Sequence, residues 1–278
     1  MISHKTKKIF KLIKELFHPS KQDFIALWNY LRFSGYYDPD EVKKYNNLHK
    51  GATIYVLGAG PSLSEEDLSL LEGEVLIAYN ASYQALQGVR PAAFYSCIGG
   101  SRMNLLSHVD RSQFDASFRF IGAYRGAFLR PGAITREDIL LRIPVRLLFY
   151  RLKESGAGFS DDISDHVLHG GAGSGLFTAI QIAAYMGASR IVLLGADFGV
   201  QGRRSHFCYF GQPRHETAAV VRSLYEAKYT ERVKPTLKRF RDHLASRQID
   251  LLNASVSTAD DVLCRRSLAE IVKAEKTR

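Results

Sequence analysis

Five residues, Thr53–Leu57 (TIYVL), run directly into Gly58-Ala59-Gly60-Pro61-Ser62, and that junction limits the folds open to the chain. The apolar, β-rich run reads as a strand, and two glycines within three residues make a tight turn. Pro61 suits a first helical turn, where a missing N–H costs nothing. Ser62 or Ser64 would cap that turn or bind an anion there. The pattern then recurs along the chain. Val75–Tyr79 is strand-like and ends at Asn80, and Ala92–Tyr95 makes a third strand. Gly173-Ser174-Gly175 leads into a helix that is apolar nearly all round (Leu176, Ala179, Ile180, Ile182, Ala183, Met186). Arg190–Leu194 has the unbroken apolar character of a parallel strand covered on both faces, and Gly195-Ala196-Asp197 follows it. A helical stretch over 216–246 precedes Ile249–Leu252, which reads as the last strand. Strands alternating with helices predict an α/β fold, a doubly wound, mostly parallel, Rossmann-like sheet.

The expected organisation is one main domain over 51–278, preceded by N-terminal helices over 1–50. The interval 102–168, with seven arginines from Arg119 to Arg151 among short apolar pieces, reads as an insertion or lid. The first helix, Lys5–Phe17, carries Ile9, Phe10, Ile13, Leu16 and Phe17 on one stripe and lysines on its flank and back. Such a basic amphipathic helix either docks on its own domain or lies on an anionic membrane surface. The second, Gln22–Phe33, is too apolar to be left in water.

At 278 residues, 46% hydrophobic and 24% charged, the chain can bury a sizeable core, which excludes both a disordered protein and a small disulfide- or zinc-stapled scaffold. The 38 basic against 28 acidic residues give +10, favouring an anionic partner. Cys97, Cys208 and Cys264 are odd in number and widely spaced, as expected in a reducing, cytoplasmic compartment. No apolar run approaches the roughly 18 residues of a membrane span, and the basic N-terminus lacks a signal peptide's apolar core. A peripheral place on the inner membrane and a homo-oligomer both stay open. Basic and aromatic residues do not cluster on one element, so nucleic acid is not the expected partner.

In a doubly wound sheet, ligands bind beyond the carboxyl ends of the strands. That rule collects Gly58, Ala59, Gly60, Pro61 and Ser62, then Asn80, Ser96–Gly100, Asp197 and Asn253–Ser255, with Gly173, Ser174 and Gly175 at a helix start. A glycine turn lets backbone approach a phosphate and aims N–H groups at it. The dinucleotide fingerprint is incomplete, and the second strand ends in Asn80 where an NAD enzyme presents an acid to the ribose. The Walker pattern and the nucleophile elbow are absent. No histidine pair has helical metal-ligand spacing, and His166 and His169 read as a solvated loop. No metal site is expected, although Asp197 would serve either as a metal ligand or as a loop anchor.

The succession Gly58-Ala-Gly-Pro-Ser-Leu63, Tyr79-Asn80, Gly173-Ser-Gly175 and Ile191-Val-Leu-Leu-Gly-Ala-Asp-Phe198 resembles the bacterial CMP-sialic-acid-dependent sialyltransferases. It is at least as similar to the related motility-accessory-factor glycosyltransferase and MptE-like group. The resemblance runs from about Thr53 to Asn253. It implies that residues 58–62, Asn80 and 173–175 surround a nucleotide donor, with Ser174 near its phosphate or ribose. The sialyltransferases keep an asparagine between the two turn glycines, where this chain has Ala59, as in the motility-accessory group. They also place a histidine at a helix start after the Asp-Phe segment. His215 is the nearest match here and His206 its competitor, with Tyr209, Arg203, Arg204 and Arg214 in the segment that would stabilise the leaving phosphate.

The implied activity is therefore glycosyl transfer from a nucleotide sugar, CMP-sugar favoured, to a surface or lipid-linked saccharide, as in lipopolysaccharide biosynthesis, with no cofactor required. The alternative implied by the same resemblance is an MptE-like diphosphokinase that transfers diphosphate from Mg-ATP to a pterin alcohol.

Overall fold

A computed structural model describes residues 42–99, 119–123, 147–153, 158–163, 167–169, 174–199, 223 and 225–277. The expected N-terminal helices, 5–17 and 22–33, lie outside these residues.

Among the described residues, nine strands form one sheet: β1 (Thr53–Leu57), β2 (Val75–Tyr79), β3 (Ala93–Gly99), β4 (Arg119–Ala123), β5 (Leu147–Lys153), β6 (Val167–His169), β7 (Arg190–Leu194), β8 (Asp250–Asn253) and β9 (Cys264–Arg265). Their spatial order is β6-β5-β4-β3-β2-β1-β7-β8-β9, and every pairing is parallel. The chain builds outward from β1 to β6, returns through helix α1 (Leu176–Tyr185) to place β7 on the free side of β1, and then builds the other way. The direction of winding therefore reverses between β1 and β7. This is the doubly wound parallel sheet expected from the sequence.

Strand alternation divides the core in two. Ile54, Val56, Ile77, Ile191 and Leu193 face α1 and α2 (Lys234–Ser246). Tyr55, Leu57, Leu76, Val192 and Leu194 face the opposite layer, made by α3 (Leu268–Lys276) and the short 3-10 turns Pro61–Glu65 and Leu68–Leu71. Because both faces are covered, nearly every residue of β1 and β7 is buried, each large apolar side chain contributing about 1.5–3 kcal/mol. Helix α1 is buried along its whole length, which accounts for its all-round apolar sequence. Its one buried amide, Gln181, accepts the Ser160 N–H at 3.0 Å and donates to the Phe177 carbonyl at 2.9 Å.

Four details depart from the sequence reading. Strand β3 does not stop at Tyr95; it continues through Gly99 because β4 pairs with Ser96–Gly99. Ser96–Gly99 are thus strand rather than a strand-end loop. The interval 102–168, read as an insertion or lid, contributes β4, β5 and β6 to the same sheet, and His169 is the last residue of β6 rather than part of a loop. Strand β8 is followed by β9, so it is not the last strand. Within the long helical stretch, the described part is α-helical at 225–228 and then widens to a π-helical turn, Tyr229–Val233, ahead of α2. Pro235 has no N–H to give the Glu231 carbonyl, and the turn before it widens accordingly. Among the described residues, no helix is long and apolar enough to cross a membrane.

Candidate functional site

The carboxyl ends of β1 and β7 mark the reversal point, where a doubly wound sheet leaves a crevice for ligand. The residues after β1 and after β7 interlock there. Gly58 N–H donates to the Leu194 carbonyl at 2.7 Å, and Gly60 N–H to the Gly195 carbonyl at 2.8 Å. The glycines are what allow this closeness. A Cβ on Gly58 would lie 2.5 Å from the Gly195 oxygen, and one on Gly60 would lie 2.5 Å from both that oxygen and the Asp197 carboxyl carbon. The turn glycines therefore admit the neighbouring chain.

Asp197 completes the lock. One of its oxygens accepts the Ser62 N–H at 2.8 Å and the other accepts the Ser62 hydroxyl. Both residues are buried. Burial pushes the Asp197 carboxyl above its ordinary value; the Ser62 hydrogen bonds oppose that rise, and the nearby Glu65 charge adds to it. Asp197 thus holds the first turn after the glycines, one of the two roles weighed from sequence.

With Gly58, Gly60 and Ser62 N–H groups so engaged, Leu63 N–H bonded to the Gly60 carbonyl, and Pro61 lacking an N–H, one donor of this turn is left. Ala59 N–H has no acceptor among the described residues, and Ala59 is half-exposed. A loop locked on either side of one unbonded N–H can meet an anionic oxygen without reorganising.

Two further pieces share this edge. Asn80 begins the 3-10 turn Asn80–Ala85 that follows β2, and Ser82 of that turn donates its hydroxyl to the Leu57 carbonyl at 2.8 Å, tying the ends of β1 and β2 together. Helix α1 runs back across the parallel strands, so its N-terminus lies at their carboxyl ends. It begins without a side-chain cap, and the N–H groups of Gly175 and Leu176 find no acceptor among the described residues. The positive end of the helix dipole favours an anion at such a terminus. Tyr79, the last residue of β2, lays its ring against Gly175, where a Cβ would lie 1.9 Å from the ring edge. Gly175→Ala should therefore displace Tyr79 and destabilise the fold by about 1–3 kcal/mol. In urea titrations the double change Gly175→Ala/Tyr79→Ala is expected to cost clearly less than the two single costs added, and strict additivity would show that the two residues do not meet.

The structure thus brings Gly58–Ser62, Asn80, Ser174, Gly175 and Asp197 to one edge of the sheet. Gly173, His206, Tyr209, His215, Arg203, Arg204 and Arg214 lie outside the described residues. The sequence reading did not register Tyr79 as a wall of the site, nor Glu66, whose carboxylate accepts the Val256 N–H at 2.8 Å across the reversal point. Burial raises the Glu66 carboxyl as well, against the pull of that hydrogen bond and with Asp197 adding to the rise. Among the described residues, no three His, Cys, Asp or Glu side chains are grouped to hold a metal ion. A cation at Asp197 would share its oxygens with Ser62.

No curated protein matches the chain by sequence. Among solved structures it is similar to the MAf glycosyltransferase from Magnetospirillum magneticum AMB-1, with a TM-score of 0.50 and 14% identity over 93% of this chain; it spans only 45% of that enzyme. It is also similar to the sialyltransferase CstII from Campylobacter jejuni in complex with cytidine-5'-monophosphate, with a TM-score of 0.45 and 14% identity over 79% of this chain and 86% of that one. At 14% identity the first of these similarities speaks to the fold alone. The model of the family described as 6-hydroxymethylpterin diphosphokinase MptE-like matches residues 34–203, more than half of the chain and including both interlocked loops, so the chain belongs to the MptE-like family.

Proposed function

We propose that the chain is a transferase acting on a phosphate-activated, nucleotide-bearing donor, and that the reaction is glycosyl transfer from a nucleotide sugar to a saccharide acceptor. The observation that carries this reading is the open Ala59 N–H on a locked turn at the β1/β7 reversal, on the same edge as the uncapped start of α1. Both are donors suited to phosphate oxygens, and a net charge of +10 draws anionic donors toward the protein. The preference for CMP rests on the succession of motifs that resembles the sialyltransferases.

In this reaction an acceptor hydroxyl attacks the anomeric carbon. The new C–O bond forms as the bond to the CMP phosphate breaks, and the hydroxyl proton passes to a general base. The donors at Ala59, Gly175 and Leu176 would steady the charge left on the phosphate. His215 is the proposed base, with His206 and Tyr209 in the same segment.

The family description favours a second reading, transfer of diphosphate from Mg-ATP to a pterin alcohol. Asp197, bonded on both oxygens to Ser62, would share those oxygens with the metal there.

A thermal-shift screen separates the two. At a hundredfold excess over its Kd, CMP should stabilise the protein by about 2.7 kcal/mol, without added Mg²⁺. Stabilisation by ATP that appears only with Mg²⁺ would establish the diphosphokinase reading instead. With a CMP-sugar donor, His215→Ala is expected to slow turnover by roughly 10²- to 10⁴-fold while CMP still binds. Unchanged turnover would remove His215 as the base.

A further inference from the structure

We infer that the segment after β8, Ala254–Asp260, is the positioning wall of the site: through Thr258 it fixes Asp197, and through Asp197 it fixes the turn that carries Ala59. Thr258 donates its hydroxyl to the Ala196 carbonyl at 2.9 Å, with the Asp197 carbonyl at 3.2 Å. The same oxygen accepts from Asn253 Nδ2 at 3.3 Å and from Asp260 N–H at 3.1 Å. Ser255 Oγ accepts the Ala196 N–H at 2.9 Å, and Ala259 N–H donates to the Asp197 carbonyl at 2.7 Å. The peptide groups on both sides of Asp197 are thereby held from one direction, while its carboxylate reaches Ser62 in the other.

The backbone conformation calls for such a grip. Phe198 has φ of 53°, a left-handed value that a bulky side chain adopts only where its surroundings impose it. The bonds to the carbonyls of Ala196 and Asp197 are those surroundings. The wall also makes a second, direct contact, since Val256 N–H donates to Glu66 just beyond the turn. Asn253, itself fully buried, backs the arrangement by donating to Asp260 at 3.1 Å and to the Ala196 carbonyl at 3.3 Å. Thr258 acts through Asp197 as a positioning residue, and its effect must appear at Gly60 and Ser62.

Amide hydrogen exchange on the full chain tests this without assuming a substrate. In Thr258→Val the Gly60 and Ser62 amides should exchange about tenfold faster than in the parent, because a buried carbonyl and a buried amide lose a partner. The amides of Val56 and Leu193 should keep their protection, and Thr258→Ser should restore the parent rates at Gly60 and Ser62. Thr236→Val is the control: it removes a hydroxyl of α2 bonded to the Arg232 carbonyl of the π turn, and should leave Gly60 and Ser62 unchanged relative to Val56. Unchanged rates in Thr258→Val, or rates that rise only in step with Val56, would overturn the inference. If Thr258→Val fails to fold, Ser255→Ala is measured against the same criteria. The functional half rests on the nucleotide reading: CMP affinity should weaken about tenfold in Thr258→Val and recover in Thr258→Ser. A parent protein that does not bind CMP would refute the nucleotide reading while leaving the exchange result to decide the positioning role.

Discussion

Gly60→Ala should be among the most damaging single methyl additions in the protein. The new Cβ would lie 2.5 Å from the Gly195 carbonyl oxygen and 2.5 Å from the Asp197 carboxyl carbon, and neither can step aside cheaply. The carbonyl belongs to the backbone that leaves β7, and the carboxyl is bonded on both oxygens to Ser62. Forcing them apart would also break the 2.8 Å bond from Gly60 N–H to that carbonyl. A cost of about 3 kcal/mol, or a fall in Tm of roughly 6–12 °C, is expected. Gly73→Ala is the comparison. Gly73 also sits in a turn, but nothing lies within 4 Å of a Cβ there; its penalty comes from a positive φ of 78° and should be about 1 kcal/mol. Calorimetry of the two variants checks the account. Equal losses at both positions would mean that the interlock between the β1 and β7 loops is not tight.

The second large effect is expected at Asp197. Asp197→Ala would leave the buried Ser62 N–H and hydroxyl without acceptors, a loss of about 3 kcal/mol in urea denaturation. Asp197→Asn should cost less, because one carbonyl oxygen remains to accept. The two variants also differ from the parent in their response to pH. Burial raises the native carboxyl above its unfolded value near 3.8. Between those two values the folded protein holds a proton that the unfolded chain has released, so this contribution to stability is present below 3.8 and is lost as pH rises through the native value. Glu66 and Glu74, raised by burial from 4.5, act with the same sign. Replacing Asp197 with asparagine should therefore flatten the decline of stability with rising pH above 3.8. A steeper decline in Asp197→Asn would show that the Ser62 hydrogen bonds, not burial, govern this carboxyl.

The doubly wound sheet was legible because its central strands advertise burial on both faces: TIYVL and RIVLL are unbroken apolar runs, each followed at once by a glycine. The outer strands were not. Strand β4, RFIGA, and strand β5, LLFYRLK, carry arginine or lysine at their ends in a stretch crowded with cations, and local pattern alone made that interval an insertion. The extension of β3 through Gly99 depends on pairing with β4, a partner about 20 residues away that no local signal announces. Helix α3 did carry a signal. Ser267 and Glu270 form a reciprocal capping box at its start, and the Ser-x-x-Glu spacing is readable in the sequence.

The candidate site divides in the same way. Strand-end position was enough to select Gly58–Ser62, Asn80 and Asp197, because in a parallel sheet all strand ends share an edge. What those residues do to one another was hidden. Ser62 and Asp197 are 135 residues apart, and only the adjacency of β1 and β7 makes the carboxylate the partner of the serine. That adjacency turns the glycines into contact surfaces for protein backbone and leaves Ala59, a residue with no polar side chain, as the donor of the turn. The clamp by Thr258 and Ser255 is equally a product of topology, since β8 pairs with β7 on the side away from β1.

The most direct measurement is the amide footprint of CMP on the isotopically labelled chain. Titration without added Mg²⁺ is expected to shift or protect Ala59, Gly175 and Leu176 first and most strongly, while the amides of Gly60 and Ser62, already bonded within the protein, change little. A CMP footprint confined to other elements, or no response until ATP and Mg²⁺ are supplied, would contradict the placement of a nucleotide phosphate at the β1/β7 reversal.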